Sequence, residues 1–229
     1  MEILNYNSKK VPPTAGDAYG EGWNIIWKTF VGLLAVTIIS GIISGPTSMF
    51  QINIQENDFH LFMIPLALFA IGFGIFIAGP IGYSTKWVFL KAARGENYEI
   101  KDMFAVFERN YWNAVAGNVV VGLIVGIGIL MLIVPGIIFA CRLAFVPYLI
   151  IDRRMDLTEA LNKSWEMTRG YGWQVFLIGF IGFFVVILGL IALIFGVIIS
   201  IIWIQMASAV LYNAVVTEKG YFQAEPVQE

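Results

Sequence analysis

The sequence is poor in the residues that most enzymes and metal proteins use for their chemistry. Its 229 residues include one cysteine, Cys141, and one histidine, His60. A single cysteine excludes an intramolecular disulfide and a cysteine metal cluster, and a single histidine excludes a site built on two imidazoles. The sequence has neither a Walker phosphate loop nor a Gly-x-Ser-x-Gly nucleophile turn. We therefore expect no enzyme, no bound cofactor and no resident metal ion.

Charge is equally scarce. Charged residues make up 13% of the chain and hydrophobic residues 59%, with a mean hydropathy of +0.78, whereas a soluble domain carries about 25% charged residues. The formal net charge of -2 supplies no basic field, so nucleic acid is not an expected partner. The composition predicts that lipid is the solvent.

Long apolar runs predict an all-α membrane protein, one domain over 1–229 with six transmembrane helices in three hairpins. A bilayer core about 30 Å thick needs roughly 20 apolar residues per helix. The runs assign spans to 25–45, 61–83, 114–134, 136–151, 173–194 and 197–216. The turn of the second hairpin is assigned to Pro135-Gly136, and that of the third to Phe195-Gly196 by length alone. Four spans with two buried half-helices are the alternative.

The distribution of basic residues predicts the orientation. Every lysine and arginine except Arg142 falls before span one or at its start (Lys28), between spans two and three, between spans four and five, or after span six. The opposite loops, such as MFQINIQENDFH, contain none. By the positive-inside rule both termini are expected in the cytoplasm. The amino terminus lacks the features of a secretory signal, so we expect the first span to be retained.

Amphipathic segments are predicted on the cytoplasmic side, at 14–22, 99–109 and 156–169. In the second of these, Ile100, Met103, Phe104 and Phe107 are spaced to form one helical face. The three segments suggest a repeated unit enclosing a site, although ordinary connectors between hairpins give the same pattern. Tryptophan favours the headgroup layer, and the expected interfacial anchors are Trp23, Trp112, Trp165 and Trp173.

Prolines and glycines inside the spans predict local features. Pro80 and Pro147 remove one backbone donor each, which should free the carbonyls of Phe76 and Leu143 and kink the helices. Spaced glycine pairs, Gly41/Gly45 and Gly122/Gly126, are interpreted as packing within the molecule, with a dimer face as the alternative.

Arg142 is the main candidate site residue, since it lies inside the fourth span with no acid nearby. An arginine at the centre of a span costs about 2.5–3.5 kcal/mol, which indicates a compensating partner. Backbone carbonyls and amides could satisfy it structurally, or an anion such as a lipid phosphate could bind there. The candidate lipid or anion site is Arg142, Gln205, Asn118 and Tyr148. The loop segment QENDFH, with His60, could bind a divalent cation weakly or be a solvated acidic loop.

A longer pattern carries a family resemblance. The stretch LIVPGIIFACRLAFVPYLIIDRRMDLTEALNKSWEMTRGYGWQVFLIGF combines a Pro-Gly turn, an arginine, an aromatic-x-Pro-Tyr, an acidic loop and an aromatic-rich helix. It resembles the uncharacterised bacterial polytopic membrane proteins related to the membrane domain of glycerophosphoryl diester phosphodiesterases. The segments EGWNIIWKTFVGLL and ASAVLYNAVV also fit this pattern. The resemblance implies a six-helix protein of the bacterial inner membrane. In the phosphodiesterase relatives hydrolysis belongs to a separate soluble domain, so no hydrolytic activity is carried over.

Three functional hypotheses remain at this point. The first is a non-enzymatic membrane protein that binds membrane lipids or another membrane protein through Arg142 and the cytoplasmic helices. The second is a small permease or export component with a midplane cavity around Arg142 and Gln205. The third, a lipid enzyme, would have to use Asp152, Asp156 or Glu159.

Overall fold

The described part of the chain is entirely helical. The computed structural model describes residues 11–49, 63–191 and 193–221, and these form helices and connecting turns with no strand. Six of the helical stretches are long and apolar enough to cross a membrane: Ala15–Gly45, Ala67–Ala93, Tyr111–Met131, Ile133–Asp152, Gly172–Ile191 and Phe195–Glu218. The predicted fold class, an all-α protein with six candidate spans, is confirmed.

The first hairpin differs from the prediction at the start of its first helix and at the end of its last helix. Helix α1, Ala15–Met49, consists of two helical stretches joined at a kink, and the predicted segment 14–22 forms the start of the first stretch. The bend lies at Thr29, with φ -124° and ψ 18°, where the hydroxyl donates to the carbonyl of Ile25 at 2.9 Å. Such a bond to residue i-4 often bends a helix.

The second half of this hairpin has three helical parts: α2 (Met63–Phe73), a π-helical turn (Gly74–Ala78) and α3 (Gly79–Ala93). The span predicted to end at residue 83 therefore continues for almost three turns, and Lys86 lies inside α3 instead of in a loop. Of the two lysines in this part of α3, Lys91 pairs with Asp102 at 2.8 Å.

One of the two effects predicted for Pro80, the freed carbonyl of Phe76, is seen together with a local change of helix type. The π-helical turn ends directly before Gly79 and Pro80, and the Gly79 amide donates to the carbonyl of Gly74. The freed carbonyl of Phe76 accepts a hydrogen bond from the hydroxyl of Tyr111, on the next hairpin, at 2.9 Å. The break in the helix thus becomes a contact between hairpins.

The segment 99–109 is not one amphipathic helix. It is divided into a 3₁₀ helix, Ile100–Phe104, and α4, Val106–Arg109. Met103 and Val106 are buried, whereas Ile100, Phe104 and Phe107 are exposed. Because the number of residues per turn changes from three to 3.6, the predicted apolar residues do not share one face. Some point into the protein and others point outward.

The second hairpin turns earlier than predicted. It consists of α5 (Tyr111–Met131), α6 (Ile133–Leu143) and α7 (Val146–Asp152). The turn lies at the extended residue Leu132, and Pro135 falls in the first turn of α6, where a missing amide hydrogen costs nothing. Gly136 is needed for packing, since a Cβ there would lie 2.7 Å from the amide nitrogen of Ile129.

The third hairpin follows α8, Leu157–Met167, and consists of α9 (Gly172–Ile191) and α10 (Leu193–Glu218). Phe195-Gly196, predicted as its turn, lies inside α10. Asp156 occupies the N-cap position of α8 but its side chain does not cap the helix. The first amide, of Leu157, instead donates to the side chain of Asn113 at 3.2 Å.

Burial divides the molecule into two zones. Fully buried side chains concentrate at the ends of helices near the charged connections, for example Phe89, Leu149 and Tyr212. Large apolar side chains are exposed along the remaining lengths of the spans; they include Val31, Ile42, Leu68, Phe69, Leu123, Leu130, Phe183, Leu188 and Ile191. Exposure of this kind is expected where lipid surrounds the helices.

A buried ion pair ties three helices together at the packed end. Asp152, at the end of α7, accepts two hydrogen bonds from the Arg94 guanidinium, at 2.7 and 2.9 Å. Arg94 also donates to Asn213 of α10 at 3.1 Å, and Arg153 lies 3.1 Å from Asp152. Burial lowers the pKa of Arg94, but the Asp152 carboxylate more than offsets this and raises the pKa above its ordinary value.

Candidate lipid-binding site at Arg142

The site begins with the interruption between α6 and α7. Pro147 lies in the first turn of α7 and has no amide hydrogen, so the helix breaks at Ala144 and Phe145. The kink predicted from Pro147 is therefore present. The carbonyl of Arg142 is left outside the regular helix pattern and accepts the hydroxyls of Ser164 at 2.7 Å and Thr168 at 3.4 Å. This anchors the end of α6 to α8.

Helix α8 presents these hydroxyls because Ser164 and Thr168 are one turn apart on its buried face. Both residues are fully buried. The Thr168 hydroxyl also donates within its own helix, to the carbonyl of Ser164 at 2.9 Å. The backbone at Arg142 is consequently held in place, while its side chain points elsewhere.

The Arg142 guanidinium lies over an aromatic ring. Its central carbon is 5.6 Å from the centre of the Trp165 ring on α8, and Phe139 packs on the same tryptophan with a ring separation of 6.2 Å. A cation over tryptophan gains about 0.5–2 kcal/mol. The ring therefore offsets part of the cost of placing the arginine here, without providing a hydrogen-bond acceptor.

One guanidinium nitrogen has no acceptor. Nη1 of Arg142 is buried and has no hydrogen-bond partner among the described residues. Leaving a buried charged donor unsatisfied costs about 1–3 kcal/mol or more. Glu166, which follows Trp165 in sequence, is engaged by Lys163 at 3.1 Å and by the Tyr221 hydroxyl at 2.7 Å. Hydrogen bonds from Tyr221 and Lys163 lower the pKa of Glu166 below its ordinary value.

The other three predicted site residues have different surroundings. Tyr148 is buried and stacks on Tyr212 with ring centres 4.8 Å apart. The Asn118 amide packs against Gly79 of α3. Gln205 lies half-buried on α10. Among the hydrogen bonds and ring contacts of the described chain, none joins these residues to Arg142, so the four do not form the single site that was predicted.

The four predicted tryptophan anchors have different degrees of exposure. Trp112 and Trp173 are the most exposed, at 73% and 66%. Trp23 forms an aromatic group with Trp27 and Trp203, at ring separations of 5.4 and 4.7 Å. Trp165 is 38% exposed and lies under Arg142. Trp165 is therefore a component of the site as well as an expected anchor.

The sequence analysis missed the two hydroxyl residues that hold Arg142. Ser164 and Thr168 have the i, i+4 spacing of one helix face and follow Ala160 and Leu161 in a polar helix. That spacing was a detectable signal. The contact with Arg142 was not, because it depends on how α8 packs on α6 across 22 residues of chain.

The comparison with protein families now bears on this region. A family model described as the membrane domain of glycerophosphoryl diester phosphodiesterase matches residues 118–219. The predicted resemblance is confirmed. Residues 118–219 are therefore similar to the polytopic membrane domain of the GPDPase family.

The GPDPase membrane-domain match contains every residue of the Arg142 site, from Phe139 to Thr168. It does not contain the amino-terminal segment EGWNIIWKTFVGLL, nor helices α1 to α4. No curated protein and no solved structure matches the chain.

Two other predicted features lie apart from this site. The segment QENDFH is outside the described residues, and within the described ones no group of three metal-ligating side chains occurs. A cavity of about 530 Å³ lies at the charged end of the molecule, between Pro12, Tyr171, Gln174 and Glu218. It is separate from the Arg142 guanidinium.

Proposed function

We propose that this protein is a non-enzymatic membrane module that binds the phosphate of an anionic phospholipid at Arg142. The observation that carries the proposal is the buried Nη1 of Arg142, which has no acceptor within the described chain. A phosphate oxygen is a suitable acceptor, because arginine binds phosphate with charge-assisted hydrogen bonds in a fixed planar geometry.

The surroundings support a lipid as the source of that phosphate. Residues of α6 next to the site, Ile137 and Ile138, are exposed apolar side chains, and Trp165 is partly exposed. An acyl chain could therefore lie along α6 while its headgroup reaches the guanidinium. The Trp165 ring also stabilises the Arg142 guanidinium through a cation–π contact. This contact keeps the cation in place when the headgroup is absent.

The cellular setting is part of the same proposal. We place the protein in the bacterial inner membrane with both termini in the cytoplasm, on the distribution of lysine and arginine along the sequence. This orientation puts α8 and the Arg142 site in the cytoplasmic half of the membrane, where its partners would be anionic lipids or another membrane protein.

Native mass spectrometry of the full-length protein, purified with its lipids, tests the lipid site. Three variants are compared with the wild type: Arg142→Gln, Arg142→Lys and Arg169→Gln. A charge-assisted hydrogen bond contributes about 1.5–3 kcal/mol, and about 1.4 kcal/mol is a tenfold change in affinity. We expect Arg142→Gln to retain at least about tenfold less phosphatidylglycerol, with Arg142→Lys between it and wild type.

Arg169→Gln is the matched control, because it removes the same charge from an exposed position in the same family segment. Equal retention of phosphatidylglycerol by wild type and Arg142→Gln would remove the basis for the proposal. The arginine would then have only a structural role.

A further inference from the structure

A second unpaired cation lies in the membrane-spanning helices. Lys86 is half-buried inside the candidate span Ala67–Ala93, about two helical turns before the end of α3. Within residues 11–49, 63–191 and 193–221 its ammonium group has no ion pair and no hydrogen bond. An ionisable residue inside a span is expensive and usually marks a functional site.

The helix face of Lys86 is open. Gly79, Gly82 and Lys86 are spaced at i, i+3 and i+7, so they lie along one face of α3. A Cβ at Gly82 would meet no atom within 4 Å, whereas one at Gly79 would collide with the Asn118 side chain of α5. The space over Gly82 is therefore bordered by Lys86 on one side and by Asn118 on the other.

Two further observations point to a built site. The Asn118 amide has no hydrogen-bond partner in the described chain. The buried Tyr83 hydroxyl lies near the same contact, 2.9 Å from the position of a Cβ on Gly117. The π-helical turn, Gly74–Ala78, directly precedes this face, and such turns occur frequently at functional sites.

We propose that Lys86 and Asn118 form an anion site between α3 and α5, separate from Arg142, that binds a phosphate group. Lysine binds phosphate as a point charge, and an asparagine amide supplies a neutral donor. The phosphate belongs either to a lipid headgroup or to a small soluble phosphate. Exposed Phe76 and Ile77 next to the site favour entry from the lipid side.

Three variants and two probes test this site in full-length protein reconstituted in phosphatidylcholine nanodiscs. The probes are phosphatidylglycerol, added to the nanodisc lipid, and inorganic phosphate, added to the buffer; the readout is thermal unfolding by tryptophan fluorescence. Wild type should be stabilised by one of the probes, which identifies the source of the phosphate. For Lys86→Met the concentration of that probe needed for half-maximal stabilisation should rise at least about tenfold.

Asn118→Asp provides a test that does not depend on losing the lysine. It places a carboxylate across Gly82 from Lys86, so the variant should unfold at a higher temperature without ligand. In the Arg142→Gln background, which lacks the other proposed phosphate site, it should respond to neither probe. Introducing Asn118→Asp into the Lys86→Met background should abolish the gain in unfolding temperature. If Lys86→Met fails to fold, this variant and its response to the probes decide the outcome.

Lys101→Met is the matched control, since Lys101 is 75% exposed and paired with Glu99 at 2.9 Å. It should respond to the probe as wild type does, whereas Arg142→Gln, which lacks the other proposed site, should keep the part of the response that depends on Lys86. A wild type that responds to neither probe overturns the proposal. The proposal is also overturned if Lys86→Met responds to the probe as wild type does. If the response is lost in Arg142→Gln, the ligand belongs to the Arg142 site.

Discussion

The buried ion pair between Arg94 and Asp152 should be a major contributor to stability, and a double-mutant cycle can measure it. The side chains are 18% and 8% exposed, and the pair has two short hydrogen bonds plus one from Arg94 to Asn213. Replacing one partner, by Arg94→Met or Asp152→Asn, leaves a buried charge without its counterion. Such a change costs about 3–5 kcal/mol.

The double variant should cost less than the sum of the two single variants, because no uncompensated charge remains. We expect a coupling energy of at least about 1.5 kcal/mol, within the range for residues that share one network. Equilibrium unfolding in mixed micelles with increasing dodecyl sulfate, followed by tryptophan fluorescence, gives the four free energies. Asp152→Asn also removes a partner of Arg153, so it should be the more destabilising single change.

The control cycle uses Lys163 and Glu166, an ion pair of similar distance, 3.1 Å, whose side chains are 24% and 52% exposed. Exposed helical pairs contribute about 0.3–0.5 kcal/mol. The reasoning fails if the Arg94 and Asp152 variants each lose under about 1 kcal/mol and their effects simply add. In that case the ion pair would be as solvated as the control pair.

Two further predictions concern packing and orientation. Gly136→Ala should lower the unfolding free energy by about 1–3 kcal/mol through overpacking, because a Cβ there would contact the Ile129 backbone at 2.7 Å; Gly126→Ala, where a Cβ meets nothing within 4 Å, should not lower it. Equal losses in the two variants would show that close packing of the second hairpin is not the cause. With Cys141→Ala as background, a cysteine at His60 should react with an impermeant maleimide added to intact cells, and a cysteine at Glu159 only after permeabilisation. The reverse labelling pattern would contradict the proposed orientation.

The number of spans was predictable because it depends on local composition. Apolar runs long enough to cross a bilayer identify six helices, and the structure has six candidate spans. The helix ends were less predictable. A hydropathy pattern stops at charged residues, whereas α3 continues through Lys86 and Lys91 to Ala93. The sequence pattern cannot detect that Asp102, eleven residues later, stabilises Lys91.

Turns were mislocated for a related reason. Pro135-Gly136 was taken as a turn signal, yet proline is equally suited to the first turn of a helix, and the extended residue is Leu132. The glycine is present because α5 and α6 approach closely at Gly128 and Gly136. The glycine pair Gly122/Gly126 was interpreted as internal packing, but a Cβ at either residue would meet no atom within 4 Å. Glycine spacing alone does not distinguish a packed face from an open one.

The candidate site was predictable in one residue and not in its partners. Arg142 is conspicuous in an apolar run, but Trp165 and Ser164 lie more than twenty residues away in sequence. Asn118 was named for its polarity, and its neighbour is Gly79 instead of Arg142. These partners depend on the packing of α6 on α8 and of α3 on α5, which no local pattern specifies.

Each helix interruption lies on the same stretch of chain as one of the two cations, Lys86 or Arg142. Carbonyls freed at proline kinks are natural partners for a buried guanidinium, and the sequence analysis considered them for Arg142. In the structure, hydroxyl groups bond to carbonyls at both interruptions: the carbonyl of Phe76, which Pro80 frees, accepts from Tyr111, and the carbonyl of Arg142, next to that of Leu143, accepts from Ser164. The kinks are therefore satisfied by neutral donors, which fasten neighbouring helices together. The described chain supplies the side chains of Arg142 and Lys86 with no carboxylate, and this shared observation is the reason for proposing a phosphate ligand at both residues.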